Sequence, residues 1–448
     1  MPEPSAARPA ASTGAAIREL AAPPDLLALH AADPARFFCL LRSGARSRRT
    51  GRYDILFAEP RLVGQCSASD PDAAGLLAKM DAAAGSGDGS ALPFVGGYVF
   101  HIGYETAACF EPSLRMPAPI SALPDIVVWA VDSAIIVDNA DRRAWCVSGD
   151  EASCAALTRE AARAHDPVLP FDGGLSACRA DPAARYRDGV RAVLDYLHAG
   201  DAFQVNLSRG WQATLRYTAT PAALHAAMHL RNTAPFSAVL HHGERSLVSA
   251  SPERLVCMHD GIVETRPIAG TRRRGASADE DAAMCAELSS NLKERAEHVM
   301  LIDLERNDLG RICEPGTVAV DEMLALEHYA SVHHLVSNIR GRLRAGTTPS
   351  DVLRASFPGG TITGCPKVRV MEIIAELEGV GRGSYTGSLG YVSRNGSMDS
   401  NILIRTLAVH GRDIAFRAGA GIVADSDPDA ELAETEAKAR GLIAVLDP

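Results

Sequence analysis

The sequence predicts a chain of mixed strands and helices with a β-rich N-terminal part, and three observations point there. Between Phe37 and Val147, short apolar or alternating runs ("RYDILFA", "VGGYVFHIGYE", "DIVVWAV", "SAIIVDNADRRAWCV") are punctuated by Gly, Pro and Asp, the pattern of strands joined by turns. Long helical spacings follow in three places: after Asp181-Pro182, from Ser277 to about Leu309, and from about Asp429 to Leu446. Strand patterns return between the second and third of these, in "GSLGYVSRNG" and "NILIRTLAVHGRDIAFRAGAGIV".

In chain order, residues 1–24 ("MPEPSAARPAASTGAAIRELAAPP") contain no apolar run of signal-peptide type and are expected to be a disordered Ala/Pro tail. Residues 25–165 form the β-rich N-terminal region. Within it, "IVVWAVDSAIIV" is too short to span a bilayer and is broken by Asp132, so it reads as two buried strand pieces. A small Ala-rich helix and the Pro/Gly-containing "HDPVLPFDGGLSA" then connect to a boundary near residue 180. Residues 181–445 are the second region. Asp181 is expected to cap a helix that starts at Pro182, carries Tyr186, Val190, Val193, Leu194 and Leu197 on one face, and stops at Gly200. Asp260-Gly261 lies between β-rich segments as a hairpin turn, and Gly411-Arg412-Asp413 looks like another. The run "RPIAGTRRRG" (266–275) should leave the first hairpin and turn sharply at Gly270, bringing backbone close to a ligand or a neighbour.

Composition narrows the function. The 448 residues are 47% hydrophobic, as in soluble globular proteins, and carry a net charge of −10; with a pI near 5.8 the chain would repel polyanions, which argues against nucleic-acid and membrane-surface roles. Ten scattered cysteines form no CxxC pair and no zinc spacing, so reduced thiols in the cytoplasm are expected. Metal binding would fall to carboxylates.

Two helical segments supply them. Glu294 and Glu297 in "KERAEH", and Glu431 and Glu434 in "ELAETEAKAR", are each three apart, with Lys438 one turn beyond the second pair, which puts each set on one helix face. Taken singly, such pairs are ordinarily solvated surface. Brought together they would need a cation, and hard oxygen ligands point to Mg²⁺. "FPGGTITGCPKVR" has phosphate-loop spacing but lacks the Gly-Lys-Ser/Thr ending, so nucleotide binding is not expected. Its glycine turn with Thr361 and Thr363 could offer donors to a carboxylate, or be a tight structural loop. Glu253 in "ASPERL" is a proton donor only if an apolar pocket raises its pKa. His334 in "VHHLVSNIRG" alternates with apolar neighbours, a setting more often that of a hydrogen-bonded core histidine than of a catalytic one.

Taken together, "GDAFQVNLSR", "ASPERL", "RPIAGTRRRG", "KERAEHVMLIDLERNDLGRIC", "HHLVSNIRGRL", "FPGGTITGCPKVRVMEIIAELE", "GSYTGSLGY", "ILIRTLAV", "AGAGIVADSDP" and "EAKAR" run in order as in the chorismate-utilising enzymes, over nearly all of residues 181 to 442. The chain resembles that family, whose members include anthranilate synthase component I, aminodeoxychorismate synthase component I, and isochorismate and salicylate synthases. The resemblance implies one α+β unit of two large antiparallel sheets packed face to face with helices outside. It also implies that Glu297 and Glu434 ligate Mg²⁺ with Glu294 and Glu431 in support, the ion bridging to the ring carboxylate of chorismate. Tyr385, Arg405 and backbone around Gly419 and Gly421 would hold the enolpyruvyl carboxylate, a task that suits the planar fork of arginine. Gly270, Thr271, Thr361 and Lys438 would complete the pocket, Glu253 would protonate the departing hydroxyl, and His334 would orient the ring.

Two positions bear on which member it resembles. Gln204 stands where water-using members are expected to carry a lysine base; glutamine takes no proton, which favours ammonia as nucleophile. Ala269 stands where many aminodeoxychorismate synthases carry a lysine thought to attack ring carbon 2, and alanine there is the anthranilate synthase pattern. The longer stretches "LLRSGARSRRTGRYDILFAEP" and "FPGGTITGCPK" are nearer the aminodeoxychorismate pattern. They carry more weight than one position, so amination at carbon 4, toward 4-aminobenzoate and folate, is expected; anthranilate formation and a non-catalytic ligand-binding subunit are the alternatives. No Gly-x-Cys-x-Gly nucleophile turn occurs in the sequence, so ammonia is expected from a separate glutamine amidotransferase subunit in a heterodimer.

Overall fold

The structure is a computed structural model and describes residues 14–44, 50–83, 90–118, 123–329 and 332–448. Among the described residues, two large antiparallel sheets carry the architecture, one of 12 strands and one of 10. Their inner faces meet over Phe38, Phe57, Phe94, Val99, Trp129, Ile136 and Leu389. Phe57 and Phe94 pack edge to face there at 4.9 Å, the arrangement that ring quadrupoles favour. Helices Pro221–Arg231 and Pro428–Leu446 cover the outside of the larger sheet through Leu224, Met228, Leu442 and Val445. This is the two-sheet α+β fold that the resemblance implied.

Both sheets recruit strands from the two ends of the chain. Cys39–Arg42 pairs with Phe236–His242 in the larger sheet, and Gly97–Ile102 pairs with Ser388–Ser393 in the smaller. Neither sheet is therefore interrupted at residue 180. The two buried pieces of "IVVWAVDSAIIV" are the strands Ile126–Val131 and Ser133–Asp138, and they belong to opposite sheets. Asp132 sits at the crossing and meets Arg394. Among the described residues no helix is long and apolar enough to cross a membrane, and all ten cysteines are free.

Local expectations fare unevenly. Asp260 and Gly261 have φ of 52° and 72°, the left-handed pair that a tight hairpin between Arg254–His259 and Ile262–Thr265 demands. The expected tail is ordered in part: residues 1–13 lie outside the described set, but Ala16–Glu19 forms a strand on Arg143–Ser148. Buried Ala16 and ion pairs from Arg18 to Glu151 and from Glu19 to Arg143 hold it there. Asp181 does not cap its helix, which begins at Ala183. Its carboxylate instead accepts the Gly210 N–H at 2.7 Å, satisfying a strand donor.

Two further departures shape the site. The helical pattern from Ser277 is two helices, Ala278–Ser290 and Leu292–Gly310, broken at Asn291, whose Oδ1 accepts the Glu294 N–H at 3.1 Å. The sharp turn expected at Gly270 is a β-bulge: in strand Ile268–Arg273, Ile268 faces Val336 while Gly270 faces Leu335, so one residue is extra at Ala269. A bulge re-aims the strand without ending it.

Candidate active site

Between the sheet ends and two helices lies a cavity of about 610 Å³, a size suited to a small ligand. Gln204, Glu253, Gly270, Thr271, Glu294, Glu297, His334, Thr361, Tyr385, Arg405, Gly419, Gly421, Glu431, Glu434 and Lys438 all line it. Residues far apart in sequence thus share one wall. Ala269 is carried by the bulged strand beside it, but its side chain lies outside the described set.

The acidic wall comes from two helices. Leu292–Gly310 presents Glu294 and Glu297; Pro428–Leu446, capped by the Asp427 carboxylate on the Asp429 and Ala430 N–H groups, presents Glu431 and Glu434. Arg272 holds Glu294 Oε1 at 2.7 Å, while Glu294 Oε2 is buried without a hydrogen-bond partner. Such an orphaned carboxylate oxygen is what a cation would satisfy. Lys438 ties Glu434 at 2.7 Å and donates to the Gly419 carbonyl at 2.8 Å. Among the described residues no three of these carboxylates bring oxygens within 4.8 Å of one another, so they flank the cavity from two sides without closing on a point.

The glycines explain the close approaches. A Cβ at Gly270 would lie 2.4 Å from Leu288 Cδ1 and 2.6 Å from Glu294 Oε2, so only glycine lets that carboxylate reach the strand. At Gly419 a Cβ would lie 2.9 Å from both Tyr385 Oη and Asn206 Oδ1.

Opposite the acids stands the donor wall. Glu253 is buried with Oε1 unpartnered, and burial pushes its pKa from 4.5 up to about 7 against the opposing pull of the Thr361 hydroxyl, the Ile268 backbone and the Arg405 guanidinium. It is therefore about half protonated near pH 7 and able to give a proton there. Arg405 adopts φ 51°, a left-handed conformation costly for a non-glycine residue, and strain of this kind gathers at ligand clamps. His334 is buried, its Nδ1 lies 2.8 Å from Thr271 Oγ1, and burial with the nearby Arg405 charge lowers its pKa to about 4, leaving a neutral imidazole. Burial raises Tyr385 to about 12, which keeps the phenol protonated as a donor.

Several participants were not singled out from sequence. Asn206, Arg272, Asn291 and Arg417 also line the cavity. Asn206 could have been found: "QVNLS" places Gln204, Asn206 and Ser208 on one face of a strand whose first six residues are all buried, and alternating polar residues in such a strand need partners. Arg417 shares its face with Gly419 and Gly421 by the same period. Behind them, buried Glu378 accepts from Ser208, Arg382 and Arg417 at 2.7–2.9 Å. Burial alone would raise that carboxylate, but the two guanidiniums hold it below its ordinary pKa. Arg382 also lies 5.7 Å from the Tyr385 ring centroid, fixing the phenol from behind.

The cavity thus brings carboxylates, a guanidinium and a phenol together at the meeting of two large sheets and two helices. The family model described as chorismate binding enzyme matches residues 42–444, and the chain belongs to that family. It is 39% identical over 427 residues to the aminodeoxychorismate synthase component 1 of Klebsiella aerogenes, covering 91% of this chain and 93% of that one. It is 42% identical over 376 residues to the anthranilate synthase component 1 of Streptomyces coelicolor, covering 78% and 73%. Among solved structures, anthranilate synthase component I from Streptococcus pneumoniae TIGR4 superposes with a TM-score of 0.78 at 30% identity, covering 89% of this chain and 93% of that one.

Proposed function

We propose that this chain aminates chorismate at ring carbon 4 to give 4-amino-4-deoxychorismate, the precursor of 4-aminobenzoate. The reading rests on two stretches, "LLRSGARSRRTGRYDILFAEP" and "FPGGTITGCPK", that are nearer the aminodeoxychorismate pattern, and the 39% identity to the Klebsiella aerogenes aminodeoxychorismate synthase over 91% of this chain and 93% of that one supports it. In this reading Arg405 and Tyr385 bind the enolpyruvyl carboxylate beside the backbone of Gly419 and Gly421, with Thr361 and Lys438 completing the pocket. Glu253 gives its proton to the ring hydroxyl, which departs as water while ammonia forms the new carbon–nitrogen bond. Neutral His334, held by Thr271, orients the ring. Gln204 leaves water unactivated, which suits a reaction whose nucleophile is ammonia.

Glu297 and Glu434, supported by Glu294 and Glu431, are the residues that would hold Mg²⁺; the unpartnered, buried Glu294 Oε2 and an all-oxygen donor set fit that ion. When bound, Mg²⁺ withdraws electron density from the ring carboxylate and lowers the cost of losing the hydroxyl. Ammonia is supplied in this reading by a glutamine amidotransferase partner.

Ala269 favours a second reading, in which ammonia enters at carbon 2 and anthranilate forms. Incubation with chorismate, Mg²⁺ and an ammonium salt separates the two. An intermediate that a lyase converts to 4-aminobenzoate is expected; fluorescent anthranilate would establish the second reading, and unconsumed chorismate would mark a non-catalytic ligand-binding chain.

A further inference from the structure

We infer that the chain carries a second metal site, of transition-metal type, built from Cys285, His328 and His333. Among the described residues these are the one set of His, Cys, Asp or Glu side chains whose ligand atoms all lie within 4.8 Å of one another. His328 and His333 face each other in register across the antiparallel strands Ala319–His328 and Val332–Arg342, with their Nδ1 atoms 2.8 Å apart. Cys285 reaches them from helix Ala278–Ser290. Behind the cluster, His333 Nε2 lies 2.9 Å from Asp281 Oδ1. An ionised carboxylate accepts only, so Nε2 carries the proton and His333 Nδ1 presents a lone pair toward His328 and the cluster. A carboxylate behind a ligating histidine is the arrangement that orients the ring and raises its basicity in metal sites.

The donor set selects the ion. One thiolate and two imidazoles suit Zn²⁺, whereas the carboxylate cavity suits a hard cation. Binding releases the Cys285 thiol proton, and the His328 proton moves from Nδ1 to Nε2, so that both facing lone pairs meet the ion. Arg274, whose charge acts on Cys285, is neutralised by two contacts of 2.8 Å to Asp281. His328 is exposed, so a fourth position opens to water. The ion fastens helix Ala278–Ser290 to the hairpin it packs on, and that helix carries Leu288, the residue set against Gly270 at the substrate cavity.

The test uses full-length protein stripped with a chelator and titrated with Co²⁺ in the presence of excess Mg²⁺. One equivalent is expected to produce a thiolate-to-cobalt band in the near ultraviolet with visible bands of tetrahedral intensity, and Zn²⁺ should displace both while raising the thermal midpoint. Cys285→Ser should remove the thiolate band, and His328→Ala should abolish stoichiometric binding. Asp281→Asn should weaken Zn²⁺ by about 10- to 100-fold, as expected for the carboxylate behind a ligating histidine. A thiolate band that survives Cys285→Ser, or Zn²⁺ affinity unchanged in His328→Ala, would overturn the assignment.

Discussion

Replacing Glu253 by Gln tests the most consequential electrostatic feature of the site. Burial moves this carboxyl from 4.5 to about 7, so between those pH values the native state binds more protons than the unfolded chain. Stability therefore falls as pH rises through that window and levels off above it. The displacement corresponds to about 3 kcal/mol of stability at full ionisation. Glu305 is raised to about 8, chiefly by burial and in smaller part by the nearby Glu253 charge, so the slope that its burial produces persists in the variant while the part due to Glu253 is lost. Urea unfolding from pH 5 to 8 should thus show a shallower decline in Glu253→Gln than in the parent. Turnover of chorismate should drop by about 10²- to 10⁴-fold, the usual contribution of a positioned general acid, with little change in substrate affinity. An unchanged pH slope would refute the buried, protonated carboxyl; an unchanged rate constant would refute its role as proton donor.

Two other substitutions probe the acidic wall. Gly270→Ala puts a methyl 2.4 Å from Leu288 and 2.6 Å from Glu294, which should cost about 1–3 kcal/mol of stability; an unshifted urea midpoint together with full activity would dispose of the close-approach argument. If Glu434 ligates Mg²⁺ as proposed, Glu434→Gln removes one charged oxygen ligand, at about 1.5–3 kcal/mol, and should raise the Mg²⁺ needed for half-maximal turnover by about 10- to 100-fold. Identical Mg²⁺ titrations in parent and variant would take Glu434 out of the metal site.

Sequence motifs made much of the candidate site legible because each residue that lines the cavity and was named from sequence sits in a short stretch with its own signature. The acid pairs follow helical spacing, and Asp260-Gly261 follows the left-handed requirement of a two-residue hairpin. Where sequence reading missed, long-range contacts outweighed local pattern. Asp181 has the signature of a cap but finds a strand N–H to satisfy; Ala16–Glu19 looks like tail but gains a partner strand 124 or more residues away. Asn206 was overlooked because its polarity matters only once the strand around it is known to be buried.

What the amino-acid order determined by itself was the class of elements and the acidic helix faces, since these depend on spacings of a few residues, and, through resemblance to a family, a set of candidate cavity side chains. Only the tertiary structure decided that helix Leu292–Gly310 and helix Pro428–Leu446 flank one cavity, that a bulge falls at Ala269, that burial raises the Glu253 carboxyl, and that Cys285 meets His328 and His333. Those outcomes rest on sheet register and burial, which sum contacts between segments hundreds of residues apart and leave no local trace in the chain.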